Sequence, residues 1–421
     1  MNILVLCPHF APDVAPTGDV MSRIVVELAA RDHRLHVVTA LPWYQRHAIE
    51  PGWDGQLVRS ERTGWGHISR VHPFPTDKAN IPARALAFGG FTALAAAVGA
   101  VSRPTPDIVL SMSPPLTLGA AGWSIARMRR VPFVFNIQDV FPDVAIELGH
   151  LKGVRTIAAA RWLERMTYRK ADAVTVLSDD LADNVRAKIG VSRTPTTGST
   201  TRVEVIPNFV DTESIRPAPK ENSYRDEFGL RGQRVVMYAG NVGLSQALEL
   251  MIDAAVDLAD EPDVVFVING GGAGRANLEQ RARGLANVRF VDMQPKSRLA
   301  DVLAAADVHV VPLKKGLAWS SVPSKLYSVL AASRPIVASI DAGTEVERTI
   351  EQAGAGLSVP PEDPEAFTKA LRRMLESETD RAEMGAAGRR FVERWASPAA
   401  VAVAYEELFE LLRAQDGRGG G

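Results

Sequence analysis

Short apolar runs of strand length alternate along the chain with longer segments of helical period. In the first half these runs are Asn2–Cys7, Leu35–Thr39, Asp107–Ser111, Pro132–Ile137, Ala173–Leu177 and Val203–Ile206. The series restarts with Val235–Tyr238, Val264–Ile268, Val288–Val291, Val308–Val311, Pro335–Ser339 and Leu357–Val359. Strand-length runs separated by helical segments are typical of parallel sheets covered by helices. The pattern therefore predicts an α/β protein with two Rossmann-like domains in tandem.

A polar segment separates the two series of runs and predicts the domain boundary. Residues 208–234 are polar and contain Pro217 and Pro219, as expected of a linker. We place the first domain at 1–210 and the second at 211–395, since 421 residues suffice for two hydrophobic cores. After Pro364 the apolar residues follow a helical period only. The last segment, 396–421, is predicted to be a helix and tail that return to the first domain.

Composition and the first residues narrow the class of protein. With 46% hydrophobic and 23% charged residues, the chain is an ordinary globular protein rather than a disordered or fibrous one. The single cysteine, Cys7, excludes an intramolecular disulfide and favours a reducing compartment. The start lacks the basic region and cleavage site of a signal peptide, which predicts a cytoplasmic location. The apolar stretch 85–101 falls short of the ~20 residues that span a bilayer, so we interpret it as a packed core helix, with membrane contact as the alternative.

Charge is distributed unevenly between the two predicted domains. Residues 1–210 contain 23 Lys and Arg against 18 Asp and Glu, whereas residues 211–421 contain 25 against 31. Arg161, Arg165 and Arg169 recur every four residues and so share one helical face. Such a face suits an anionic membrane surface, which would place the protein peripherally at the inner face of the plasma membrane. An ordinary solvated helix face is the alternative, and no nucleic-acid partner is expected.

In parallel α/β sheets, ligands bind at the carboxyl ends of the strands, so the loops that follow the strands hold the candidate residues. After the first strand, Thr17 and Gly18 precede a helix predicted to begin near Val20, and we expect them to contact a polar ligand. After the run 132–137, Asp139 and Asp143 stand at the rim of the sheet. Asp139 is the better candidate for binding a hydroxyl group or accepting a proton, although a helix cap explains either carboxylate.

Two glycine turns open the second series of strands. The candidate residues of the first turn are Gly240, Asn241, Gly243 and Gln246, and the next strand ends in a run that contains Gly271 and Gly272. A glycine turn between a strand and a helix lets backbone amides approach a diphosphate.

A lysine-bearing loop follows the run 308–311. Lys314, Lys315 and Lys325 flank this strand-to-helix connection, with Ser324 and Tyr327 beside them. Three cations at one turn of an otherwise acidic domain predict an anionic ligand such as a diphosphate. A solvated lysine loop is the alternative.

Six segments together resemble the retaining glycosyltransferases of GT family 4, and the resemblance covers nearly the whole chain. They read SMSPPLTLGAAG, QDVFPD, VIPNFVD, YAGNVGLSQALE, VPSKLYSVLAASRPIVAS and AGAGLSVPPEDPEAF. The resemblance is strongest to the bacterial branch that builds cell-surface polysaccharides with N-acetylated amino sugars and 6-deoxy sugars. It implies the two-domain GT-B fold with an interdomain cleft.

The resemblance also implies a reaction and a set of site residues. The donor is a nucleotide sugar, with a UDP-sugar preferred, and the acceptor is a glycan or a polyprenyl-diphosphate-linked sugar. Front-face displacement with retention needs neither a cofactor nor a metal ion, and the sequence contains no D-x-D element. By motif, the resemblance places the turn 240–246 and the segment 324–327 at the donor and Asp139 at the acceptor. Together with the loops described above, this predicts Asp139 and Lys325 as the catalytic residues. The predicted donor-binding residues are Gly240, Asn241, Gly243, Gln246, Gly271, Gly272, Lys315, Ser324, Tyr327 and Ser328, and the predicted acceptor-binding residues are Thr17, Gly18 and Asp139.

Several positions depart from the family pattern. Gln138 stands where many relatives have histidine, and Asn241 and Gln246 replace an arginine and a lysine of the diphosphate loop. The paired glutamates of the family fall on Ser320 and Ser328, and a family glycine falls on Ser333. Our hypothesis is that Lys325, with Lys314 or Lys315, supplies the missing positive charge, while Ser328 or Tyr327 meets the ribose.

Two other functions are compatible with parts of the sequence. The missing glutamates and loop cations allow a non-catalytic subunit that only binds a nucleotide sugar. An NAD-dependent oxidoreductase is the second alternative, because Gly272 and Gly274 follow a strand and Asp292 ends the next one. The third glycine of that fingerprint is absent.

Overall fold

The computed structural model describes residues 1–76, 81–139, 141–143, 146, 153–191, 201–243, 245–316 and 324–415. The chain divides into two compact units. Unit one comprises Met1–Asn208 and Val401–Gly421, and unit two comprises Phe209–Ala400. Each unit is built on one mainly parallel sheet with helices, which confirms the α/β class that the alternating pattern predicts.

Unit one contains an eight-stranded sheet. Its strands are β1 (Asn2–Leu6), β2 (Arg34–Ala40), β3 (Val58–Thr63), β4 (Gly66–Val71), β5 (Ile108–Ser113), β6 (Phe133–Ile137), β7 (Ala173–Val176) and β8 (Arg202–Val205). Their order is β3-β4-β2-β1-β5-β6-β7-β8, and only β3 runs antiparallel to its neighbour. The direction of strand succession reverses between β1 and β5, which marks the place where loops diverge and ligands settle in such sheets.

The described residues of unit one before the boundary form five helices. They are α1 (Pro16–Ala30), α2 (Ile81–Ala100), α3 (Thr117–Arg129), α4 (Val154–Lys170) and α5 (Asp179–Ile189). The apolar helix α2 packs into the core through Phe91 and Ala95, as expected of a core helix. None of the helices in the described ranges is both long and apolar enough to cross a membrane.

Unit two contains a fully parallel sheet of six strands. They are β9 (Arg234–Ala239), β10 (Val264–Asn269), β11 (Val288–Val291), β12 (Val308–Pro312), β13 (Ile336–Ser339) and β14 (Gly356–Val359). The order β11-β10-β9-β12-β13-β14 is that of the doubly wound dinucleotide-binding fold, with its reversal between β9 and β12.

The helices of unit two follow in chain order. They are α6 (Ser223–Glu227), α7 (Glu249–Asp257), α8 (Arg275–Arg281), α9 (Leu299–Ala304), α10 (Ser324–Ala331), α11 (Glu345–Ala353), α12 (Pro364–Glu376) and α13 (Glu378–Trp395), and a 3-10 turn at Lys296–Arg298 precedes α9. The core lies on both faces of the sheet, with α7 and α12 on one side and α10 and α13 on the other.

The last helix, α14 (Pro398–Gln415), packs on unit one. The Tyr405 hydroxyl accepts a hydrogen bond of 2.9 Å from the buried Asn136 amide of β6. Glu406 bonds His33 Nε2 at 3.0 Å and also pairs with Arg31. Buried polar contacts of this kind are costly unless satisfied, so they fix the position of α14 on the sheet.

The hairpin of β3 and β4 was not predicted from the apolar runs. Strand β3 alternates exposed and half-buried residues, because it lies at the edge of the sheet. Its polar sequence therefore lacks the continuous apolar run of a buried parallel strand. Glu61 of β3 accepts a hydrogen bond of 2.9 Å from the buried Arg70 of β4, which ties the edge strand to the sheet.

The prediction that residues 208–234 form a linker was wrong. The segment contains α6 and packs into unit two, where Tyr224 and Arg225 are fully buried. Arg225 Nη2 lies 2.6 Å from Asp307 Oδ2, and Lys220 Nζ lies 2.9 Å from the other oxygen. Local polarity misled the prediction, because buried partners far along the chain neutralise these charges.

The carboxylate of Asp307 is the centre of this buried network. Burial by itself would raise the pKa of Asp307, but the hydrogen bond from Val235 N and the charges of Lys220 and Arg225 outweigh it and lower the pKa. A lowered carboxyl pKa contributes stability that is present above the ordinary aspartate pKa of 3.8 and is lost as the pH falls through the lowered value.

We predict that Asp307→Asn destabilises the protein by ~3–5 kcal/mol, because it removes the buried counter-charge of Arg225 and leaves Glu221, 2.7 Å away and 37% exposed, to balance the buried guanidinium. Asp263→Asn is the matched control, since Asp263 pairs with Arg234 at 2.7 Å but its side chain is 50% exposed. Urea denaturation measures both variants. Equal free energies of unfolding for the two variants would contradict the assigned role of Asp307.

Candidate functional site

Two loops of unit two meet at the carboxyl edge of its sheet. The turn after β9 and the loop after β12 flank the point where the strand order reverses. Lys314 N donates a hydrogen bond of 3.0 Å to Ser245 O and so joins the two loops directly. The glycine turn and the lysine loop, predicted separately from sequence, therefore belong to one site.

Gly240 adopts a conformation that only glycine tolerates well. Its φ is +143°, and a Cβ placed on it would lie 2.3 Å from Cε of Lys325. Its amide donates a hydrogen bond of 2.8 Å to Asn269 O. The absence of a side chain at this position is what admits Lys325 to the turn.

The glycine run after β10 packs against the same turn. A Cβ on Gly270 would lie 1.8 Å from the Gly240 carbonyl oxygen, and one on Gly272 would lie 2.4 Å from Val242 O. By contrast, a Cβ on Gly271 would meet no atom within 4 Å. Gly270 and Gly272 are thus required by the contact between two turns, whereas Gly271 faces open space.

Lys325, near the start of α10, holds its ammonium group above Tyr238. Lys325 Nζ donates a hydrogen bond of 2.5 Å to the Tyr238 hydroxyl and lies 4.5 Å from the centre of the ring. That hydroxyl in turn donates to Asn241 O at 2.6 Å. Burial lowers the pKa of Lys325. No carboxylate in the described part of the chain forms an ion pair with this ammonium, so its charge is available to an anion.

The other turn residues have defined contacts. Asn241 is exposed at the turn, whereas the Gln246 side chain accepts a hydrogen bond of 2.9 Å from Gly243 N. Gln246 therefore stabilises the turn from within. Lys315 is exposed, and its amide lies 3.3 Å from the carboxylate of Glu362.

Three predicted donor residues lie on α10. Tyr327 is 8% exposed, and burial together with the nearby Glu345 carboxylate raises its pKa to about 12. Ser328 is half-buried on the same helix. The Ser324 side chain lies outside the described residues, as does Ser320. A ribose contact stays a prediction for these residues, and the burial of Tyr327 in the core favours Ser328 over Tyr327.

Unit one has a cavity of about 420 Å³ at the carboxyl edge of its sheet. The loops after β1, β2, β4, β5 and β6 all contribute to its walls, which are mostly aromatic rings and prolines. Thr17 and Asp139, two of the predicted acceptor residues, line it. The structure thus brings these two residues to one cavity.

Helix α1 begins four residues before the predicted start, at Pro16. Thr17 and Gly18 therefore lie in its first turn and not in the preceding loop. A Cβ on Gly18 would lie 2.9 Å from Cβ of His9, so this glycine lets α1 approach the loop after β1. Gly18 supports the cavity wall rather than lining it.

Two neighbours of Asp139 have structural partners. Gln138 is buried and bonds Asn136 and Asn208, each at 2.9 Å. Asp143 pairs with Lys188 at 2.6 Å, and the buried Glu164 bonds the same ammonium. Asp139 itself is exposed and lines the cavity, so of the two predicted carboxylates it stays the candidate for contact with a ligand.

Sequence reasoning missed a histidine and a carboxylate in this cavity region. His9 Nδ1 lies 2.6 Å from Asp13 Oδ2, and Asp13 is 4% exposed. Asp13 also accepts hydrogen bonds from the amides of Tyr44 and Trp43, at 3.0 and 3.3 Å. His9 and Asp13 are four residues apart in the loop after β1, and this spacing was the signal in the sequence that could have identified the pair.

Tyr238 in unit two was missed as well, because an aromatic residue at the end of a strand resembles a core residue.

A second cavity of unit one, about 470 Å³, opens at the amino ends of β1 and β2. Stacked rings of His36 and His67, 3.7 Å apart, form part of its wall. Burial and the neighbouring His67 lower the pKa of His36 to about 3, so His36 is neutral at physiological pH. Because ligands of such sheets bind at the carboxyl edge, we assign no substrate to this cavity.

No cluster of three or more His, Cys, Asp or Glu side chains that would hold a metal ion occurs within the described ranges.

Both halves of the chain match family profiles. Residues 17–208 match a profile described as "Glycosyl transferase 4-like domain", and residues 233–377 match "Glycosyl transferases group 1". Together the two profiles cover most of the chain.

Similar proteins and structures agree with these matches. The chain is 28% identical over 385 residues to WcaI of Escherichia coli strain K12, a putative glycosyl transferase of colanic acid biosynthesis, and the match covers 89% of this chain and 92% of that protein. The structure is similar to sucrose-phosphate synthase from Thermosynechococcus elongatus, with a TM-score of 0.67 and 19% sequence identity. That match covers 99% of this chain and 100% of the synthase chain. The structure is also similar to Anabaena Alr3699/HepE in complex with UDP, with a TM-score of 0.62 and 15% sequence identity. That match covers 97% of this chain and 99% of the HepE chain. These structures show the GT-B fold.

We predict that Gly240→Ala destabilises unit two by roughly 1–3 kcal/mol, because the residue is strained at this φ and its methyl group displaces Lys325. Gly271→Ala is the matched control, since its methyl group meets open space. Thermal and urea unfolding of both variants measure the difference. A Gly240→Ala variant as stable as Gly271→Ala would show that the turn does not depend on glycine.

Proposed function

The chain is a glycosyltransferase, and we propose that it transfers a sugar from a UDP-sugar to a glycan or lipid-linked sugar acceptor. We propose further that it is a retaining enzyme of GT family 4, acts without a metal ion, and serves cell-surface polysaccharide synthesis with an N-acetylated or 6-deoxy sugar. The likeness to WcaI supports the pathway class, and the UDP bound to HepE supports the nucleotide.

The observation that carries the proposal is the position of Lys325 against the Gly240 turn. A partly buried ammonium group without a carboxylate partner is costly, and an anion bound at the turn would offset that cost. The site lies at the strand-order reversal of a dinucleotide-binding sheet, where phosphates bind in this fold class. A donor diphosphate fits both requirements.

The proposed chemistry follows from the charge on the leaving group. As the bond between the sugar and the diphosphate breaks, negative charge grows on the departing phosphate. A fixed ammonium such as that of Lys325 stabilises this charge more in the transition state than in the ground state, so it lowers the barrier. Front-face attack lets the departing phosphate take the proton of the acceptor hydroxyl, and Asp139 holds that acceptor at the cavity of unit one.

We do not propose the two alternative functions, an NAD-dependent oxidoreductase and a non-catalytic subunit that only binds a nucleotide sugar. A nicotinamide site would need Asp292 for the ribose, but Arg275 Nη1 lies 2.5 Å from its carboxylate. The two glycosyltransferase profiles also argue against an oxidoreductase and against a subunit that only binds.

We predict that Lys325→Met weakens UDP binding by about tenfold or more, as expected for a lost charge-assisted hydrogen bond. Lys369→Met is the matched control, because Lys369 is an exposed lysine of α12 in the same unit. Isothermal titration with UDP measures both variants, and hydrolysis of UDP-sugars measures turnover. Unchanged UDP affinity in Lys325→Met, at unchanged thermal stability, would refute the proposed role of Lys325.

We also propose that unit one associates with an anionic membrane surface through the exposed face of α4. Arg161, Arg165 and Arg169 are exposed, and Trp162 between them is 62% exposed. No described carboxylate forms an ion pair with these arginines. Arginines around an exposed tryptophan are typical of helices that lie at a lipid interface. Lys152, which belongs to the same basic region in sequence, lies outside the described residues.

The double variant Arg165→Glu/Arg169→Glu is expected to bind vesicles of phosphatidylglycerol and phosphatidylcholine roughly tenfold or more weakly, since each cation near such a surface contributes about 1 kcal/mol. The double variant Arg283→Glu/Arg390→Glu is the control, because it changes the net charge by the same amount at two exposed positions of unit two. Co-sedimentation measures binding. Wild-type binding that is the same with and without phosphatidylglycerol would exclude this mode of association.

A further inference from the structure

Several hydrogen bonds fix the positions of His9 and Asp13 in the loop after β1. Asp13 is a nearly buried carboxylate that accepts three hydrogen bonds, from His9 Nδ1 and from the amides of Trp43 and Tyr44. One carboxylate therefore fixes both the His9 side chain and the loop after β2. A ring held in this way is preorganised to present its other nitrogen.

The tautomer of the His9 ring follows from its partner. A carboxylate only accepts hydrogen bonds, so Nδ1 of His9 carries the hydrogen that points at Asp13. In the neutral ring Nε2 then offers a lone pair. No described group forms a hydrogen bond with Nε2, and His9 lines the cavity of unit one. Nε2 is thus a hydrogen-bond acceptor available to a ligand hydroxyl.

Aromatic rings hold His9 on two further sides. The Trp43 ring stacks on it with centroids 5.7 Å apart and an interplanar angle of 28°. The Tyr44 ring meets it edge-on with centroids 5.1 Å apart. Phe74 and Phe88 line the same cavity. These rings supply apolar faces against which the C–H groups of a sugar ring pack.

The charges around the cavity indicate an uncharged ligand. The described residues that line it include no lysine or arginine, and their one carboxylate is Asp139. Among the described lining residues an anionic group would meet the Asp139 carboxylate and no lysine or arginine, whereas hydroxyl groups would donate to the carboxylate oxygens. The cavity thus combines apolar rings with a few hydrogen-bond acceptors, a composition that suits a small neutral polyol.

We propose that the cavity of unit one binds an uncharged pyranose ring of the acceptor, and that His9 Nε2, oriented by Asp13, accepts a hydrogen bond from one of its hydroxyl groups. The inference rests on the proposed glycosyl transfer and specifies its acceptor. His9 is the contact residue, and Asp13 is a positioning residue. A charged part of the acceptor, such as a diphosphate, lies outside this cavity.

Ligand-observed NMR titrations on the full chain test the proposal with two probes, p-nitrophenyl β-D-glucopyranoside and the corresponding glucuronide, which differ by one carboxylate. The wild type is expected to bind the glucoside more tightly than the glucuronide. His9→Phe keeps a ring against Trp43 but removes Nε2, and should weaken glucoside binding roughly threefold to tenfold. His67→Phe, at the opposite edge of the sheet, is the matched control and should bind like the wild type.

Asp13→Asn provides a second variant that does not depend on His9→Phe folding well. An asparagine amide that donates to Nδ1 moves the ring hydrogen to Nε2, so glucoside binding should weaken while UDP binding stays unchanged. Glucoside binding as tight in Asp13→Asn as in the wild type would indicate a merely structural contact and contradict the proposal. Equal binding of glucoside and glucuronide, no glucoside binding by the wild type, or unaltered binding by His9→Phe would each overturn it. UDP titration of the same samples reports separately on the proposed function, because the UDP site is assigned to unit two.

Discussion

Lys325 lies against a turn in which a hydrogen atom is the largest substituent that fits. At Gly240 the φ of +143° and the distance of 2.3 Å between a hypothetical Cβ and Lys325 Cε leave no room for a side chain. A Cβ on Gly270 would lie only 1.8 Å from the Gly240 carbonyl oxygen, so the turns after β9 and β10 hold each other in place. The position of one ammonium group therefore depends on two glycines. The donor role proposed for unit two depends on that position.

Strand order explains why each unit has its candidate site at a carboxyl edge. In unit one the order reverses between β1 and β5, and in unit two between β9 and β12. Loops on either side of a reversal diverge, which leaves space that helices do not fill. Unit one fills this space with rings, prolines and the pair of His9 and Asp13, whereas unit two fills it with glycines and Lys325. The same architecture thus yields an aromatic cavity with the Asp139 carboxylate at its wall in one unit and a cationic turn in the other.

Much of the fold was predictable because buried parallel strands are continuously apolar. Strand β3 was missed since its edge position alternates exposed and half-buried residues, and the segment around Arg225 was mistaken for a linker since its partner Asp307 is 82 residues away. At the site, the motif spacing identified Lys325 and the glycine turn. It did not identify Tyr238, nor His9 with Asp13, because their roles depend on ring packing and buried hydrogen bonds that no local pattern records.

We propose that the Gly240 turn and Lys325 hold the donor diphosphate. A crystal structure of the wild-type protein with UDP tests it most directly, through the distance between Lys325 Nζ and the phosphate oxygens. We expect a charge-assisted hydrogen bond of about 2.7–2.9 Å, with the diphosphate against the turn after β9. A diphosphate bound elsewhere, with Lys325 still on the Tyr238 hydroxyl and no phosphate oxygen near it, would rule out this donor site.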